Sequence, residues 1–347
     1  MRPGRFSKAA IVTMALTNRP ATGQAAGTER CLRLRVAGKR ICADEIAAFE
    51  LVDAKGGDLP PFTAGSHIDV HLPTGPTRQY SLCNDPRERH RYRIGVLREV
   101  AGRGGSAYMH DRVEVGDTIE ASFPLNAFPL EESAPFSLLL AGGIGVTPIL
   151  SMAHRLTALG LDFTFHYCAR SASRMAFRPE LEASAFAPRM RFHLDDGPGD
   201  QRLDLAGLLS RRPPGAHLYA CGPAGFLDAV IAAARPAWPS EAVHREYFVN
   251  AMRSAATGDR PFTVRLASDG RVFAIAPGRS IVEVLGENGI DVPVSCEEGI
   301  CGTCVTRVVS GVPDHRDLVL TEKQHAAGTL ITPCCSRALS DELELDL

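Results

Sequence analysis

Cys296-Glu297-Glu298-Gly299-Ile300-Cys301-Gly302-Thr303-Cys304, with Cys334 thirty residues further on, decides how this chain of 347 residues is read. The spacing is C-x4-C-x2-C…C, that of a plant-type two-iron site. Two sulfide-bridged irons need four thiolates; a tight loop supplies three and the fourth returns from a distant strand. Gly299 and Gly302 suit a loop that must take positive φ and bring its N–H groups close to sulfur. Buried cysteines usually act as small hydrophobes, but this spacing, with glycines inside the loop, points to a [2Fe–2S] cluster. Cys335 adjoins Cys334, and the spacing leaves open which of the two is the fourth ligand.

Outward from that loop, the length predicts two or three domains. Hydrophobic content of 45% and charged content of 22% are those of a soluble globular protein with ample core. A formal charge of −2 without a basic stripe argues against a nucleic-acid partner. No apolar run approaches a membrane span, so no membrane association is expected. Cys31, Cys42, Cys83, Cys168, Cys221 and Cys335 read as free thiols, and cluster loading requires a reducing compartment, which predicts a cytoplasmic protein. Arg2, Arg5 and Lys8 ahead of the apolar stretch 9–16 mimic a signal peptide, but Thr13 interrupts it and no cleavage site follows. Residues 1–27 are expected to be a disordered extension, with Met14 as an alternative start.

Residues 28–132 alternate in period two, as in Leu32/Leu34/Val36, Ile68/Val70/Leu72 and Tyr92/Ile94/Val96, which predicts antiparallel strands in a barrel or sandwich. Over 133–250 the rhythm changes. Strands at 137–141, 163–168, 190–194, 217–221 and 243–248 alternate with helical segments. One helix carries Ile149, Ala153, Leu156 and Leu159 on one face and ends at Gly160; another covers 225–235 and stops before Pro236. This alternation predicts a parallel α/β sheet. Residues 251–261 have linker composition. In 262–347, strands 262–266 and 271–275 flank the turn Ser268-Asp269-Gly270. A short helix follows from its N-cap Ser280 to Asn288, with Gly289 as its stop, and 342–347 is a terminal strand.

Arg78-Gln79-Tyr80-Ser81-Leu82 places on one strand an arginine that can grip a phosphate, a tyrosine that can cover an aromatic ring and a serine that can bond a ring nitrogen. Gly102-Arg103-Gly104-Gly105-Ser106 is a glycine-rich turn ahead of a helix, suited to a phosphate. Together, ahead of an α/β domain, they point to a flavin. Leu138-Leu139-Leu140-Ala141-Gly142-Gly143-Ile144-Gly145-Val146-Thr147-Pro148 is a buried strand, a glycine turn and a helix start. Gly143 and Gly145 let backbone approach a pyrophosphate, and Pro148 fits the first helical turn. Cys221-Gly222-Pro223 ends a later strand on the ligand side of the same sheet, where Cys221 can face a nicotinamide. Arg170 and Arg174 follow the strand ending at Cys168 and can contact ribose or phosphate. A 2′-phosphate needs dedicated cationic contacts, and NADH is expected over NADPH.

These motifs in this order resemble the ferredoxin–NADP reductase superfamily, and within it the phthalate dioxygenase reductase and vanillate O-demethylase reductase group, over residues 28–347. The resemblance implies a multidomain α/β plus β fold: an antiparallel Greek-key flavin barrel, a five-stranded parallel α/β nicotinamide domain and a β-grasp ferredoxin domain. It implies FMN as the flavin, held by Arg78, Tyr80, Ser81 and the turn Arg103, Gly104, Gly105 and Ser106. Val96, Leu97 and Arg98 would line the isoalloxazine, Thr147 would sit near both rings, and Phe248 and Ser254 would close the pocket. Gly143, Gly145, Thr147, Pro148, Arg170, Cys221, Gly222 and Pro223 would bind NADH, with Ser81, Thr147 and Cys221 as the catalytic residues. Cys334-Cys335-Ser336-Arg337-Ala338 matches the family's run of ligand, one residue, then Ser-Arg-Ala. The implied cluster ligands are therefore Cys296, Cys301, Cys304 and Cys334, with Cys335 a bystander.

The implied activity carries electrons from NADH through FMN and the [2Fe–2S] cluster to a Rieske-type non-haem iron oxygenase that hydroxylates or O-demethylates an aromatic compound. A flavin is required between the other two centres because nicotinamide gives an electron pair as hydride while a cluster takes electrons singly. Two alternatives stand beside this reading. One is a reductase for another acceptor, a P450 or a diiron hydroxylase. The other is a flavin and iron–sulfur redox sensor, which the lack of an output module after the ferredoxin region disfavours.

Overall fold

The computed structural model describes residues 31–73, 77–99, 104–248 and 259–347; the expectations for 1–27, Arg103 and Ser254 lie outside them. From Cys31 to Leu347 the chain forms one compact unit, built on three sheets.

The first sheet takes β1 (Leu32–Ala43), β2 (Ile46–Asp53), β3 (Ser66–His71), β4 (Thr77–Ser81), β5 (Tyr92–Leu97), β6 (Thr118–Ala121) and β7 (Leu125–Asn126). The order is β4-β3-β6-β1-β2-β5, with β7 pairing β3, and every pairing is antiparallel. An isolated bridge between Leu82, just past β4, and Ile94 of β5 joins the two ends of the sheet and closes the barrel. Alternation does the inside–outside sorting: Leu34 and Val36 point in while Arg33 and Arg35 point out. Phe49, Leu51, Ile68, Val70 and Ile94 fill the interior without exposure, each contributing roughly 1.5–3 kcal/mol of transfer free energy. Helix α1 (Gly105–Asp111) lies beside β4 and β5.

The second sheet is parallel throughout, β8 (Phe136–Gly142), β9 (Asp162–Ala169), β10 (Met190–Leu194), β11 (His217–Cys221) and β12 (Val243–Glu246), in the order β10-β9-β8-β11-β12. Helices α2 (Val146–Leu159), α3 (Arg178–Glu182), α4 (Leu205–Leu209) and α5 (Ala224–Ala234) complete it. Strand β8 is covered on both faces, Leu139 and Ala141 toward the cluster that contains α2, Leu138 and Leu140 toward the one that contains α4 and α5. Gly160 ends α2 in the left-handed conformation at φ +68°. The α2-side core continues into the barrel through Ile46, Ala48, Cys83 and Phe128, so the two layers share one hydrophobic interior. Polar contacts fix their orientation: Glu180 pairs with Arg93 at 2.6 Å and with Arg40, and Arg174 pairs with Glu45 at 2.8 Å.

The third sheet orders β14-β13-β19-β15-β17, from β13 (Phe262–Leu266), β14 (Val272–Ile275), β15 (Thr306–Ser310), β17 (Leu330–Ile331) and β19 (Glu342–Leu345). Strands β13 and β19 run parallel, the mixed arrangement of a β-grasp domain. A small ladder pairs β16 (Pro313–Asp314) with β18 (Arg337–Ala338). Helix α6 (Ile281–Glu287) packs Ile281 and Leu285 inward and opens on a reciprocal cap between Ser280 and Glu283; α7 (Glu322–Ala327) opens the same way with Thr321 and Gln324. No helix among the described residues is long and apolar enough to cross a membrane.

Candidate functional site

The three sheets meet at a cleft of about 250 Å³. Gln79 and Ser81 enter it from β4, Glu246 and Phe248 from the end of β12, and Ile300 and Cys301 from the cysteine loop. The sequence predicts a strand through Phe248, whereas β12 stops at Glu246. That early stop frees Tyr247 and Phe248 to turn into the cleft.

On the barrel side the expected flavin residues gather around α1. A Cβ at Gly105 would lie 2.5 Å from Nε of Arg78, so the arginine side chain lies across the start of this helix. Gly104 caps that start at φ +81°, a conformation that favours glycine. Ser106 Oγ accepts from the Glu99 N–H at 2.9 Å, and Arg98 pairs with Asp111 at 2.8 Å. Val96 is buried and its carbonyl accepts from His110 Nε2 at 2.9 Å, while Leu97 is half-buried beside it. Tyr80 has a buried hydroxyl without a hydrogen-bond partner among the described residues, and burial raises its pKa above the usual phenol range. An unsatisfied buried hydroxyl is costly; a polar ring bound over β4 would supply its partner.

On the nucleotide side, the structure gives the two fingerprint glycines different duties. Gly143 takes φ +55° with open space where a Cβ would stand, as close approach of a ligand requires. At Gly145 a Cβ would sit 2.3 Å from the Cys221 carbonyl oxygen, so this glycine lets the turn after β8 pack on the turn after β11, at Gly222. Pro148 is buried in the first turn of α2, and Pro223 caps α5. Thr147 donates to the Ile144 carbonyl at 3.1 Å, and its methyl packs where a Cβ on Gly95 would come within 2.8 Å. Arg170 is exposed after β9, whereas Arg174 is engaged by Glu45.

Cys221 and Ser81 converge on one group that sequence reading missed. Cys221 and Glu246 are register partners at the ends of neighbouring strands, with Sγ 3.8 Å from Oε2, and Ser81 donates to the same carboxylate. Glu246 keeps part of its surface on the cleft, yet desolvation pushes its carboxyl up to about 8. Burial likewise pushes the Cys221 thiol well up, so it stands as a neutral thiol. The available signal was positional: a lone acid at the carboxyl end of a parallel strand, beside the strand that ends in Cys221.

In the cysteine loop, Gly299 and Gly302 take φ +72° and +76°. Among the four expected ligands Cys296 bonds Cys301 and Cys304 bonds Cys334, and Cys334 is also bonded to Cys335. Bonds from Cys296 and Thr303 favour the thiolate of Cys301, and the Glu298 N–H points at Cys296 Sγ at 3.3 Å. Two thiol pairs ringed by N–H donors are the donor set that two bridged irons require. Cys335 packs beneath the loop, where a Cβ on Gly299 would lie 2.3 Å from its Sγ, and it contacts Thr332 Oγ1 at 3.3 Å. Buried Asp317 braces the loop from behind. Its Oδ2 accepts from the N–H groups of Val319 and Leu320, its Oδ1 from His325, and the adjacent Leu318 N–H donates to the Gly299 carbonyl.

A family of 2Fe-2S iron-sulfur cluster binding domains matches residues 264–339. The chain is 50% identical over 313 residues to the vanillate O-demethylase oxidoreductase of Pseudomonas sp. (strain HR199 / DSM 7063), covering 90% of this chain and 98% of that protein. It is 44% identical over 317 residues to the phthalate dioxygenase reductase of Burkholderia cepacia, covering 91% and 97%. A solved phthalate dioxygenase reductase, described as a modular structure for electron transfer from pyridine nucleotides to [2Fe-2S], superposes with a TM-score of 0.75 at 43% identity, over 92% of this chain and 98% of that one. Likeness of this extent, over all three sheets and the cluster loop, makes the chain a member of the phthalate dioxygenase reductase and vanillate O-demethylase oxidoreductase family of NAD(P)H-dependent flavin iron–sulfur oxidoreductases.

Proposed function

We propose that this chain is the reductase component that takes electrons from NADH and delivers them, through FMN and its [2Fe–2S] cluster, to a Rieske-type oxygenase acting on an aromatic compound. The observation that carries the reading is the single cleft bounded by Ser81, Glu246 and the Cys301 loop, which brings the flavin-side, nucleotide-side and cluster-side residues within one volume. FMN bound there supplies the exchange between the electron pair of a hydride and the single electrons that a cluster accepts.

The chain's own residues bind and orient. Arg78 and the turn Gly104–Ser106 hold the FMN phosphate, Tyr80 and Ser81 meet the ring, Val96–Arg98 line it, and Phe248 closes its far side. Gly143 and the start of α2 receive the pyrophosphate, while Arg170 is the cation available to the nucleotide's ribose. Ser81, Cys221 and Glu246 form the polar edge where nicotinamide and flavin meet, with Thr147 beside them. Cys296, Cys301, Cys304 and Cys334 ligate the cluster. The functional domains are taken as 28–132, 133–250 and 262–347, joined by 251–261, and cluster loading places the protein in the reducing cytoplasm.

The test is reconstitution. Purified protein should release one FMN on acid extraction, hold two irons and two acid-labile sulfides, and reduce a purified Rieske oxygenase with NADH. Extraction of FAD would overturn the flavin assignment. Reduction of a P450 or a diiron hydroxylase in place of the Rieske protein would overturn the partner.

A further inference from the structure

Between described residues, the hydrogen bonds that join the ferredoxin domain to the barrel meet at Ser295, the residue before Cys296. Its hydroxyl donates to Asp69 Oδ2 at 2.5 Å and accepts from Gln79 Nε2 at 2.7 Å. Gln79 also donates to Asp69 Oδ1 at 3.0 Å and lies 3.1 Å from His67 Nε2. The Ser295 hydroxyl has one proton to give and a carboxylate only accepts, while the two amide protons of Gln79 go to Ser295 and Asp69. Asp69 is 6% exposed and Ser295 is 6% exposed, so water cannot easily replace either bond. Strand β3 fixes the aspartate rigidly, since its N–H donates to Ser122 Oγ at 2.9 Å and its carbonyl accepts from the Ser122 N–H at 2.8 Å. A charge-assisted bond of this kind, held on a strand of the closed barrel, is stronger than a neutral one.

We propose that Asp69 and Ser295 are positioning residues for electron transfer: their bond docks the cysteine loop on the barrel and holds it against the flavin cleft. The assignment rests on the function proposed above. Electron transfer between two centres falls steeply with distance, and Ser295 stands one residue from a cluster thiolate. Gln79, which bridges the pair, lines the cleft together with Ser81 and Cys301. A loop released from Asp69 would still carry its cluster, and the cleft would keep its flavin-side residues. The step that suffers is the transfer between them.

The experiment compares the holoprotein with Ser295→Ala, Ser295→Thr and Asp69→Asn by stopped-flow reduction with NADH. In Ser295→Ala and Asp69→Asn, electron arrival at the cluster should slow at least tenfold, while flavin reduction by NADH, ferricyanide reduction and the cluster's midpoint potential stay as in the parent. Ser295→Thr, which keeps the hydroxyl, should restore the rate. Hydrogen–deuterium exchange should rise across 295–301 in both slow variants, a readout independent of turnover. Unchanged exchange and unchanged transfer would overturn the proposal. So would a slow transfer accounted for by a shifted cluster potential, which would make Ser295 a tuner of the cluster. If Ser295→Ala fails to load iron, Asp69→Asn decides, because it lies outside the cluster loop. A parent protein that holds no flavin would refute the proposed function instead, and exchange across 295–301 in Asp69→Asn would still decide the docking contact.

Discussion

Burial raises the Glu246 carboxyl to about 8 from an ordinary 4.5, and that shift has a sign that can be measured. Its protonated form is favoured by folding, so the stability it contributes is fully present below pH 4.5 and is lost as pH rises through about 8. Glu246→Gln, neutral at every pH, should therefore flatten the decline of Tm across that window and melt higher than the parent at its alkaline end. Thermal scans from pH 5 to 9 check this; parallel curves would refute it. Gly299 is the second residue whose surroundings dictate its identity. Its φ of +72° and the Cys335 sulfur behind it leave no room for a side chain. Gly299→Ala should cost about 1–3 kcal/mol locally and leave the chain deficient in iron and acid-labile sulfide. Cys335→Ser, a smaller side chain that keeps a hydrogen-bonding group beside Cys334, should load normally. The positive φ at Gly299 was legible from the tight cysteine loop; the Cys335 sulfur behind it was not.

At the scale of elements, the turns after β8 and β11 act as one unit, because Gly145 packs on the Cys221–Gly222 backbone. Its own φ is −62°, so a side chain is excluded by contact with backbone and not by conformation. Gly145→Ala should push these turns apart and raise KM for NADH at least tenfold, with FMN content unchanged; steady-state kinetics and flavin extraction measure the two. The elements themselves were largely legible. Strands at 190–194, 217–221 and 262–266 end where periodicity puts them, and the cap at Ser280 and the stop at Gly160 follow from local chemistry. Strand β12 is the instructive exception. Val243 to Phe248 reads as one strand-like run, but pairing with β11 ends at Cys221, so hydrogen bonding stops at Glu246 and the aromatic residues turn away.

For the whole molecule, the arrangement of sheets separates two activities. Cys304→Ser removes half of one thiol pair, and transfer to the oxygenase or to cytochrome c should collapse. Ferricyanide, which can take electrons at the flavin, should still be reduced. Stopped-flow traces in the flavin and cluster bands distinguish these, and full transfer to the oxygenase in Cys304→Ser would refute the linear route. Nucleotide choice also belongs to this scale. Arg174 is tied across the layers to Glu45 at 2.8 Å, which leaves Arg170 as the exposed guanidinium after β9. One cation is a thin site for a 2′-phosphate, so kcat/KM should favour NADH over NADPH by about tenfold or more.

By itself the sequence determined the kind of chemistry. Three of the four cysteines expected to hold the cluster come from one tight loop, and the fourth, Cys334, is marked by its spacing and by the run that follows it. The cysteine loop could be read from its spacing alone, whereas the Arg78–Ser81 strand and the Gly143–Pro148 turn took their meaning from their order along the chain, ahead of and inside an α/β domain. The tertiary structure decided what stands between them. Glu246 matters because strand register sets it beside Cys221, and Ser295 because the folded chain lays it on Asp69, more than two hundred residues away in sequence. Such partners carry no signature, since a buried acid or a lone serine takes its function from what faces it, and only packing across the three sheets supplies that neighbour.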